Sequence, residues 1–216
     1  MSVVGIIPAG GSGERLGADR PKAFVVLAGH SLLHWSLQAL SAVCDSVVVA
    51  APEGERSLPS AGCPVTVVGG GASRSASVRN AVNAAPQGER FVVHDAARPL
   101  VTPELVRRCL AALADGIDGA VAAAPMSDTV KEADADRRVV RTLDRSSLWA
   151  IQTPQVFRAE VLRRALDRDE GALAAASDDA SLVEELGGTV CVVEAPRENL
   201  KVTHPADLRI AEALLC

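Results

Sequence analysis

Residues 3–23 read VVGIIPAGGSGERLGADRPKA and join an apolar run to a turn rich in glycine. The run VVGIIP has the composition of a buried strand. Because glycine has few backbone restrictions, a loop rich in glycine can direct several N–H groups towards one anion. Two cationic residues, Arg15 and Lys22, come a few residues after the glycines in the sequence. The stretch predicts a first strand that ends in a phosphate-binding loop. The alternative is a plain strand-to-helix turn with both cations in solvent.

Neither of the two best-known nucleotide motifs matches this loop. A dinucleotide fingerprint requires G-x-G-x-x-G, but Leu16 occupies the third glycine position and Gly17 comes one residue late. The acid expected at the end of the second strand is also missing, since Ala and Pro precede Glu53. A P-loop requires a Gly-Lys pair, which the chain lacks. Both motifs are therefore disfavoured.

Short runs rich in valine alternate with longer segments of helical period along most of the chain. This alternation predicts an α/β fold with a doubly wound, mainly parallel but mixed sheet and helices on both faces. Ligands in such sheets bind beyond the carboxyl ends of the strands. The predicted strands are 3–8, 46–51, 65–69, 90–94, 119–124 and 189–194. The predicted helices are 31–42, 73–85, 103–115 with Thr102 as N-cap, 158–169, 177–186 and 205–215.

One insertion interrupts the alternation at about residues 125–147. Two short alternating segments, DTVKE and RRVVRTL, flank the polar turn ADAD and predict a projecting β-hairpin arm. A two-stranded arm is marginal by itself, so we expect it to pack on something else, such as a second copy of the chain. Residues 144–157 show little regular period. We expect one domain over residues 1–216 with this arm inserted.

Composition excludes several classes of protein. The net charge of −5 argues against a nucleic-acid or membrane-surface binder, so an anionic substrate needs a local cluster of cations. The five cysteines form no C-x-x-C pair, which favours reduced thiols in the cytoplasm over a disulfide framework or a zinc site. No apolar stretch approaches the roughly 20 residues of a membrane span, and no basic segment makes residues 3–7 a signal peptide.

Two further stretches place polar residues directly after predicted strands. In VVHDAARP at 92–99, Asp95 stands where a metal or a sugar hydroxyl would bind, and Arg98 could reach a phosphate. An internal Asp95–Arg98 pair that fixes the turn is the alternative. In GGGASRSASV at 69–78, the loop that carries Arg74 and Ser77 could lie against a base or a ribose, or be a flexible turn with a capping serine.

Two later stretches complete the set of candidate site residues. DRSSLWAIQTPQVF at 144–157 offers Arg145 and Thr153 to a phosphate. ENLKVTHPADL at 198–208 places Lys201 after the last predicted strand, where it is either a phosphate contact or a solvated lysine.

Together these blocks resemble the 2-C-methyl-D-erythritol 4-phosphate cytidylyltransferase family, over about residues 3–214. The blocks that carry the resemblance are AGGSGERLGADRPKAF, GGASRSASV, HDAARP, SDTVK, DRSSLWAIQTPQ and NLKVTHPADL. The resemblance implies a Rossmann-like nucleotidyltransferase fold and a cytoplasmic homodimer. It also implies transfer of CMP from CTP to methylerythritol phosphate, with release of pyrophosphate, in the presence of Mg²⁺.

The resemblance also implies a role for each candidate residue. Arg15 and Lys22 stabilise the triphosphate in the transition state, and Arg145 and Lys201 position the sugar phosphate. Thr129 and Arg145 serve the neighbouring subunit, which their arm reaches. Residues that assist the sugar phosphate are Asp95, which is also the candidate metal ligand, Arg98, Thr129 and Thr153. Residues that enclose the nucleotide are Ala9, Gly10, Gly11, Gly13, Gly71 and Ser77.

The sequence departs from the family pattern at two positions and leaves rival functions open. Ala72 replaces an acidic residue of some relatives, and Ser177 replaces a frequent threonine. A cytidylyltransferase acting on ribitol 5-phosphate would share the fold and the nucleotide. A nicotinamide-dependent reductase would bind NAD(P) without Mg²⁺, and a nucleotide sensor would bind CTP without releasing pyrophosphate.

The chemistry agrees with the implied reaction. A phosphate monoester has a second pKa near 6 and is largely dianionic at neutral pH, so it needs no general base. The sequence offers no Ser-His-Asp or Cys-His set, and its cations could neutralise two converging polyanions.

Overall fold

A computed structural model describes residues 1–55 and 58–215 of the chain. The strands in that part of the chain are β1 Val3–Pro8, β2 Val26–Leu27, β3 His30–Ser31, β4 Ser46–Ala51, β5 Val65–Gly69, β6 Arg90–Val93, β7 Gly119–Pro125, β8 Lys131–Ala133, β9 Val139–Thr142, β10 Trp149–Arg158 and β11 Val190–Glu194. Seven of these strands form the main sheet, in the order β5-β4-β1-β6-β10-β7-β11. Two small sheets pair β2 with β3 and β8 with β9.

Helices connect the strands and cover both faces of the main sheet. They are α1 Leu32–Ser41, α2 Arg74–Asn83, α3 Pro103–Ala111, α4 Ala159–Leu166, α5 Glu170–Ala175, α6 Asp179–Glu185 and α7 Pro205–Leu215. β1 pairs in parallel with β4 and β6, β4 with β5, and β7 with β11, whereas β10 is antiparallel to both of its neighbours. This arrangement confirms the predicted mainly parallel, doubly wound fold.

The two faces of the sheet form two separate apolar layers. On one face, Ile7 of β1 packs in a cluster with Leu37 of α1 and Val106 of α3. On the other, Val4 and Ile6 pack in a cluster that draws side chains from α2, α4, α5 and α6. This alternation along β1 is the period of two of a strand whose two faces are both covered.

Side chains cap the helices where the sequence predicts helix starts. The Thr102 hydroxyl accepts a hydrogen bond from the Leu105 N–H at 3.2 Å, which confirms the predicted N-cap of α3. Ser31, Ser73 and Asp178 cap α1, α2 and α6 in the same way. The predicted strands agree with the structure to within a residue at each end, whereas several helices end before their predicted limits.

Strand β10 is the feature that the sequence failed to predict. Residues 144–157 showed little regular period, but Trp149–Arg158 lies between β6 and β7 in the sheet. Pro154 lacks an N–H and normally marks the end of a central strand. Here the register shifts between Ile151 and Gln155, and this irregularity accommodates the proline.

The arm predicted at about 125–147 is present as a hairpin of β8 and β9. The residues of both strands are exposed, including Val139 and Val140. Lys131 of β8 pairs with Thr142 of β9. The small β2–β3 hairpin and helix α5 are further elements that the sequence did not define.

The cysteines Cys44, Cys63, Cys109 and Cys191 are free thiols, as expected, and Cys216 lies outside the described residues. Burial raises the pKa of the Cys44 and Cys109 thiols to about 12. None of the helices in the described part of the chain has the length and apolar character needed to cross a membrane.

Candidate active site

A cavity of about 440 Å³ opens at the carboxyl ends of β1, β5 and β6. The chain leaves β1 towards β4 and returns through β6 on the opposite side, so this is the point where the strand order reverses. Ligands of open α/β sheets bind at such points. The residues that line the cavity include Ala9, Gly10, Gly11, Gly13, Arg15, Lys22, Gly71, Ala72, Arg74, Ser77, Asp95, Lys201 and Thr203.

The loop after β1 is fixed by backbone hydrogen bonds. The Ala9 N–H donates to the Ala50 carbonyl at 2.8 Å, and the Lys22 N–H donates to the Gly11 carbonyl at 2.9 Å. Gly13 has a φ of 82°, and a Cβ at this position would lie 3.0 Å from the Arg20 carbonyl oxygen. Glycine is therefore required at position 13, because only it adopts this backbone without strain in so little space.

The loop after β5 is held by the hydroxyl of Ser77. This hydroxyl accepts from the Gly71 N–H at 3.0 Å and donates to the Ser73 carbonyl at 2.9 Å. A Cβ on Gly71 would lie 2.5 Å from the Cβ of Ala76, so the loop packs directly on the first turn of α2. A Cβ built on Gly10 would lie 3.9 Å from the Ser77 hydroxyl. The two glycine loops therefore face each other across the cavity.

Lys22 shares this cavity with other cations, among them Arg15 and Lys201. Burial lowers the pKa of Lys22, and the nearby charges of Lys201 and Arg15 lower it further. This mutual repulsion shows that the cations share one electrostatic environment although they are far apart in sequence. A concentration of positive charge on a protein of net charge −5 is suited to a polyanionic ligand.

Asp95 lies at the centre of the charged residues. One carboxylate oxygen accepts from the Arg74 Nε at 2.8 Å and the other from the Lys201 Nζ at 2.6 Å. Burial alone would raise the pKa of Asp95, but Arg74 and Lys201 outweigh it and hold the pKa well below its ordinary value. Asp95 is therefore an anion at neutral pH.

Arg74 bridges two carboxylates. Its Nη1 lies 2.6 Å from an Oδ2 of Asp179, which is fully buried, while its Nε contacts Asp95. Burial would lower the pKa of Arg74, but the charges of Asp179 and Asp95 raise it above its ordinary value. Burial raises the pKa of Asp179, and the Arg74 charge opposes that shift.

A buried hydrogen-bond network lies behind Asp95. The Asp95 N–H donates to the Thr153 hydroxyl at 3.1 Å, and this hydroxyl lies 3.0 Å from His94 Nδ1. His94 Nε2 lies 3.1 Å from the Arg98 carbonyl. A neutral imidazole with its proton on Nε2 satisfies both contacts, and burial lowers the pKa of His94 to about 4. This network fixes the backbone that carries Asp95.

Arg98 and the arm residues do not line the cavity of their own chain. The Arg98 Nη1 donates to the Asn199 carbonyl at 2.8 Å, and burial lowers the pKa of its guanidinium. Arg145 donates to the Ser127 carbonyl, and both Arg145 and Thr129 are exposed at the base of the arm.

Comparison with known proteins identifies the family of this chain. Residues 3–216 match the family model described as 2-C-methyl-D-erythritol 4-phosphate cytidylyltransferase. The chain belongs to this family. A protein of that name from Frankia casuarinae is 46% identical, with 99% of this chain and 81% of the relative covered. One from Rubrobacter xylanophilus is 44% identical, with 98% of this chain and 94% of the relative covered.

A solved structure supports the same assignment. The 2-C-methyl-D-erythritol 4-phosphate cytidylyltransferase from Thermus thermophilus superimposes with a TM-score of 0.81 and 38% sequence identity. The superposition covers 99% of this chain and 98% of that chain. The chain is therefore a cytidylyltransferase, a type of nucleotidyltransferase, with the fold of the family.

The structure brings some of the candidate residues together and separates others. Those at the cavity are Ala9, Gly10, Gly11, Gly13, Arg15, Lys22, Gly71, Ser77, Asp95 and Lys201. Thr153 supports Asp95 from behind, Arg98 binds a backbone carbonyl, and Thr129 and Arg145 lie on the arm. At the two departures from the family pattern, Ala72 lines the cavity, whereas Ser177 is exposed.

Arg74 and Asp179 are the residues that sequence reasoning missed. The sequence analysis places Arg74 only in its glycine-rich loop and Asp179 only in the predicted helix 177–186. Since they are separated by 105 residues, no local pattern pairs them. Arg74 belongs to the block GGASRSASV of the resemblance, whereas none of its blocks contains Asp179.

The residues at the cavity can hold Mg²⁺ only if the substrate supplies most of the ligands of the metal. Mg²⁺ is usually held by one or two carboxylates together with phosphate oxygens. Asp95 supplies a carboxylate at the cavity, but both of its oxygens already contact cations. In the described ranges, no group of three or more His, Cys, Asp or Glu side chains forms a metal site. The donor set therefore fits a metal that arrives with the triphosphate.

Proposed function

We infer that this cytidylyltransferase transfers CMP from CTP to 2-C-methyl-D-erythritol 4-phosphate and releases pyrophosphate. The observation that carries this inference is the cavity where two glycine loops meet Arg15, Lys22 and Lys201, in a chain that matches the family over residues 3–216. The product would be 4-diphosphocytidyl-2-C-methyl-D-erythritol, an intermediate of isoprenoid synthesis. The family match does not favour ribitol 5-phosphate as the acceptor.

The reaction requires neutralisation of charge more than proton transfer. An oxygen of the acceptor phosphate attacks the α-phosphorus of CTP, and the bond from this phosphorus to the bridging β-phosphate oxygen breaks. The electron pair leaves with pyrophosphate. Because the acceptor is already largely dianionic at neutral pH, no base has to remove a proton. The protein must hold two anions in line and stabilise the departing charge.

Arg15 and Lys22 are the proposed groups on the triphosphate. Both line the cavity beside the β1 loop, whose glycines leave backbone N–H groups free to approach phosphate oxygens. The lowered pKa of Lys22 reflects burial and neighbouring cations, a charge arrangement that a bound polyanion would relieve. These residues would act most strongly as negative charge moves to pyrophosphate.

The loops would also enclose the cytidine. The backbone of Ala9, Gly10 and Gly11 forms one wall, with Gly13 completing the turn, and Gly71 forms the opposite wall. Ser77 would act mainly through its loop, because its hydroxyl is engaged by Gly71 and Ser73. Contacts to the base would therefore come largely from backbone groups.

Asp95 and Lys201 are the proposed groups on the acceptor. Lys201 could bind the sugar phosphate, while the free lone pairs of Asp95 could accept from sugar hydroxyls. Thr153 would act through Asp95, and Arg98 would act through the loop that follows β11. Mg²⁺, held by the triphosphate and Asp95, would supply additional charge neutralisation when bound.

We also propose that residues 1–216 form one nucleotidyltransferase domain that works as a homodimer in the cytoplasm. The arm, with exposed Val139 and Val140, lacks an apolar partner in its own chain among the described residues. Thr129 and Arg145 lie at the base of this arm and outside their own cavity. Both observations support their delivery to the acceptor phosphate of a second subunit.

A pyrophosphate-release assay with the purified chain tests this function. Each of the four nucleoside triphosphates is combined with methylerythritol phosphate or ribitol 5-phosphate, with Mg²⁺ or with EDTA. We expect pyrophosphate only with CTP, methylerythritol phosphate and the metal. Equal release with ribitol 5-phosphate, or none with methylerythritol phosphate, would contradict the proposed acceptor.

A further inference from the structure

A line of four charged residues runs from the core to the cavity. Asp179 contacts Arg74, Arg74 contacts Asp95, and Asp95 contacts Lys201, with distances of 2.6 Å, 2.8 Å and 2.6 Å. Arg74, Asp95 and Lys201 line the cavity, whereas Asp179 does not. Asp179 is 0% exposed, and its Oδ1 has no hydrogen-bond partner among the residues that the structure describes. It therefore influences a substrate only through Arg74.

Asp179 is not needed to begin its helix. The N-cap of α6 is Asp178, whose side chain accepts from the Ser181 N–H at 2.9 Å. Asp179 follows the cap and points its carboxylate at Arg74. Helix capping therefore does not explain why Asp179 is buried.

Arg74 in turn is poorly placed for the stability of its own helix. It is the first residue of α2, after the cap Ser73, where the helix dipole favours a negative charge. A cation at this end is compatible with the helix only because Asp95 and Asp179 balance it. The burial of Arg74 with its carboxylate partners also costs desolvation free energy, which apolar side chains at the same place would avoid. The arrangement is thus better explained by the geometry that it imposes than by stability.

That geometry is the orientation of Asp95. A carboxylate keeps one rotamer when at least one of the cations that it contacts is itself held in place. Lys201 is partly exposed, whereas the planar guanidinium of Arg74 is held by its second contact, with buried Asp179. The fixed end of the line is therefore Asp179.

We propose that Asp179 is a positioning residue for the cytidylyl transfer, which acts through Arg74 to orient Asp95 and, with it, Lys201 towards the acceptor. The inference rests on the proposed function of the cavity. Asp179 itself contacts neither substrate.

The substitution Asp179→Asn tests this role, with Asp178→Asn as its matched control. Both changes remove one carboxylate charge from the start of α6, but only Asp179 contacts Arg74. We expect Asp179→Asn to lower kcat/KM for methylerythritol phosphate by about tenfold, since small displacements of a reacting group have effects of this size or larger. KM for CTP should change by less than about threefold, and Asp178→Asn should leave both constants within about threefold.

A double-substitution cycle with Arg74→Lys separates positioning from folding. If Asp179 acts through Arg74, Asp179→Asn should lower kcat/KM much less in the Arg74→Lys background than in the natural chain. Thermal unfolding of every variant is followed in parallel. An equal loss in both backgrounds would overturn the proposal, as would equal losses for Asp178→Asn and Asp179→Asn, or a fall in Tm without a change in kcat/KM. Absence of product with the natural chain would instead overturn the proposed function.

Discussion

Lys22 combines two features that make its contribution to the reaction measurable. Its N–H closes the glycine loop on the Gly11 carbonyl, and its ammonium lies among other cations at the cavity. The first feature belongs to the backbone and survives a change of side chain. The second is lost when the ammonium is removed.

We expect Lys22→Ala and Arg15→Ala each to lower kcat by a factor of about 10² or more, because each removes a donor to developing charge. KM for CTP should change less. Steady-state pyrophosphate release gives both constants. Arg20→Ala is the control, since Arg20 lies in the same loop, is exposed, and pairs only with neighbouring Asp19 in the described structure. A kcat near that of the natural chain in either variant would contradict the assigned role.

Gly71 offers a test of the second loop. A Cβ at this position would lie 2.5 Å from the Ala76 Cβ and 2.7 Å from the Ala76 carbonyl carbon, so Gly71→Ala must displace the loop from α2. Overpacking of this kind costs about 1–3 kcal/mol. We expect a lower Tm and a KM for CTP raised by about tenfold, since about 1.4 kcal/mol corresponds to a factor of ten.

Gly69→Ala is the matched control for Gly71→Ala. It lies two residues earlier, and a Cβ there would meet nothing within 4 Å. It should leave KM and Tm almost unchanged. Similar effects of the two substitutions would show that close packing on α2 does not shape the nucleotide loop.

The sequence predicted some of the residues at the site and missed the contacts of others. Gly13, Gly71, Arg15 and Lys22 were found because loops after strands carry local patterns. The contact of Arg74 with Asp179 joins the starts of α2 and α6 and depends on the tertiary fold. Thr153 was singled out as a group that a phosphate could use, but its contact with the Asp95 N–H depends on β10, which the sequence did not predict.

At the scale of elements, β10 explains the main difference between expectation and structure. The other six strands of the main sheet were predicted, because each contains a short apolar run. β10 combines buried polar residues such as Gln152 and Gln155 with Pro154, so neither alternation nor an apolar run is visible. Partners on β6 and β7 stabilise it, and a single sequence does not reveal them.

The buried contact between His94, which follows β6, and Thr153 of β10 predicts that the stability of the fold depends on pH. His94 has a pKa of about 4 in the folded chain and an ordinary value of 6.5, so between these values the unfolded state binds more protons. Stability therefore falls as pH decreases through this window, by about 3 kcal/mol for this group. The titratable groups other than this imidazole are the same in the natural and variant chains, so a difference between the two chains isolates His94.

Denaturant unfolding at several pH values between about 7 and 4 measures that difference. The His94→Gln chain should lose less stability on acidification than the natural chain. The same substitution at exposed His204 should leave the pH dependence unchanged. Parallel pH dependences of the natural and His94→Gln chains would contradict a buried neutral imidazole.

The arm predicts complementation between defective subunits. Lys22 lies at the cavity of its own chain, whereas Arg145 lies beside the arm, so a mixed dimer of Lys22→Ala and Arg145→Ala subunits should contain one intact site. Random exchange should restore about a quarter of the natural activity, because half of the dimers are mixed and each has one intact site. Differently tagged subunits report the exchange. Exchange without recovery would show that the arm does not serve a second subunit.

At the scale of the molecule, the fold concentrates positive charge on an acidic protein. The net charge of −5 excluded broad binding to nucleic acid, and the structure shows where the opposing charge lies. The sequence was sufficient for the fold class because strand and helix periods alternate along most of the chain. It was insufficient for the contacts of Asp95, which join residues that follow β5, β6 and β11.

The central claim is transfer of CMP between two phosphates, and identification of the products tests it most directly. The purified natural chain is incubated with CTP, methylerythritol phosphate and Mg²⁺, and the products are separated and identified by mass spectrometry. We predict one molecule of the joined cytidyl-diphospho-methylerythritol for each pyrophosphate released. Release of pyrophosphate together with free CMP would contradict the claim. A nucleotide product that carries neither the phosphate nor the sugar of the acceptor would also contradict it.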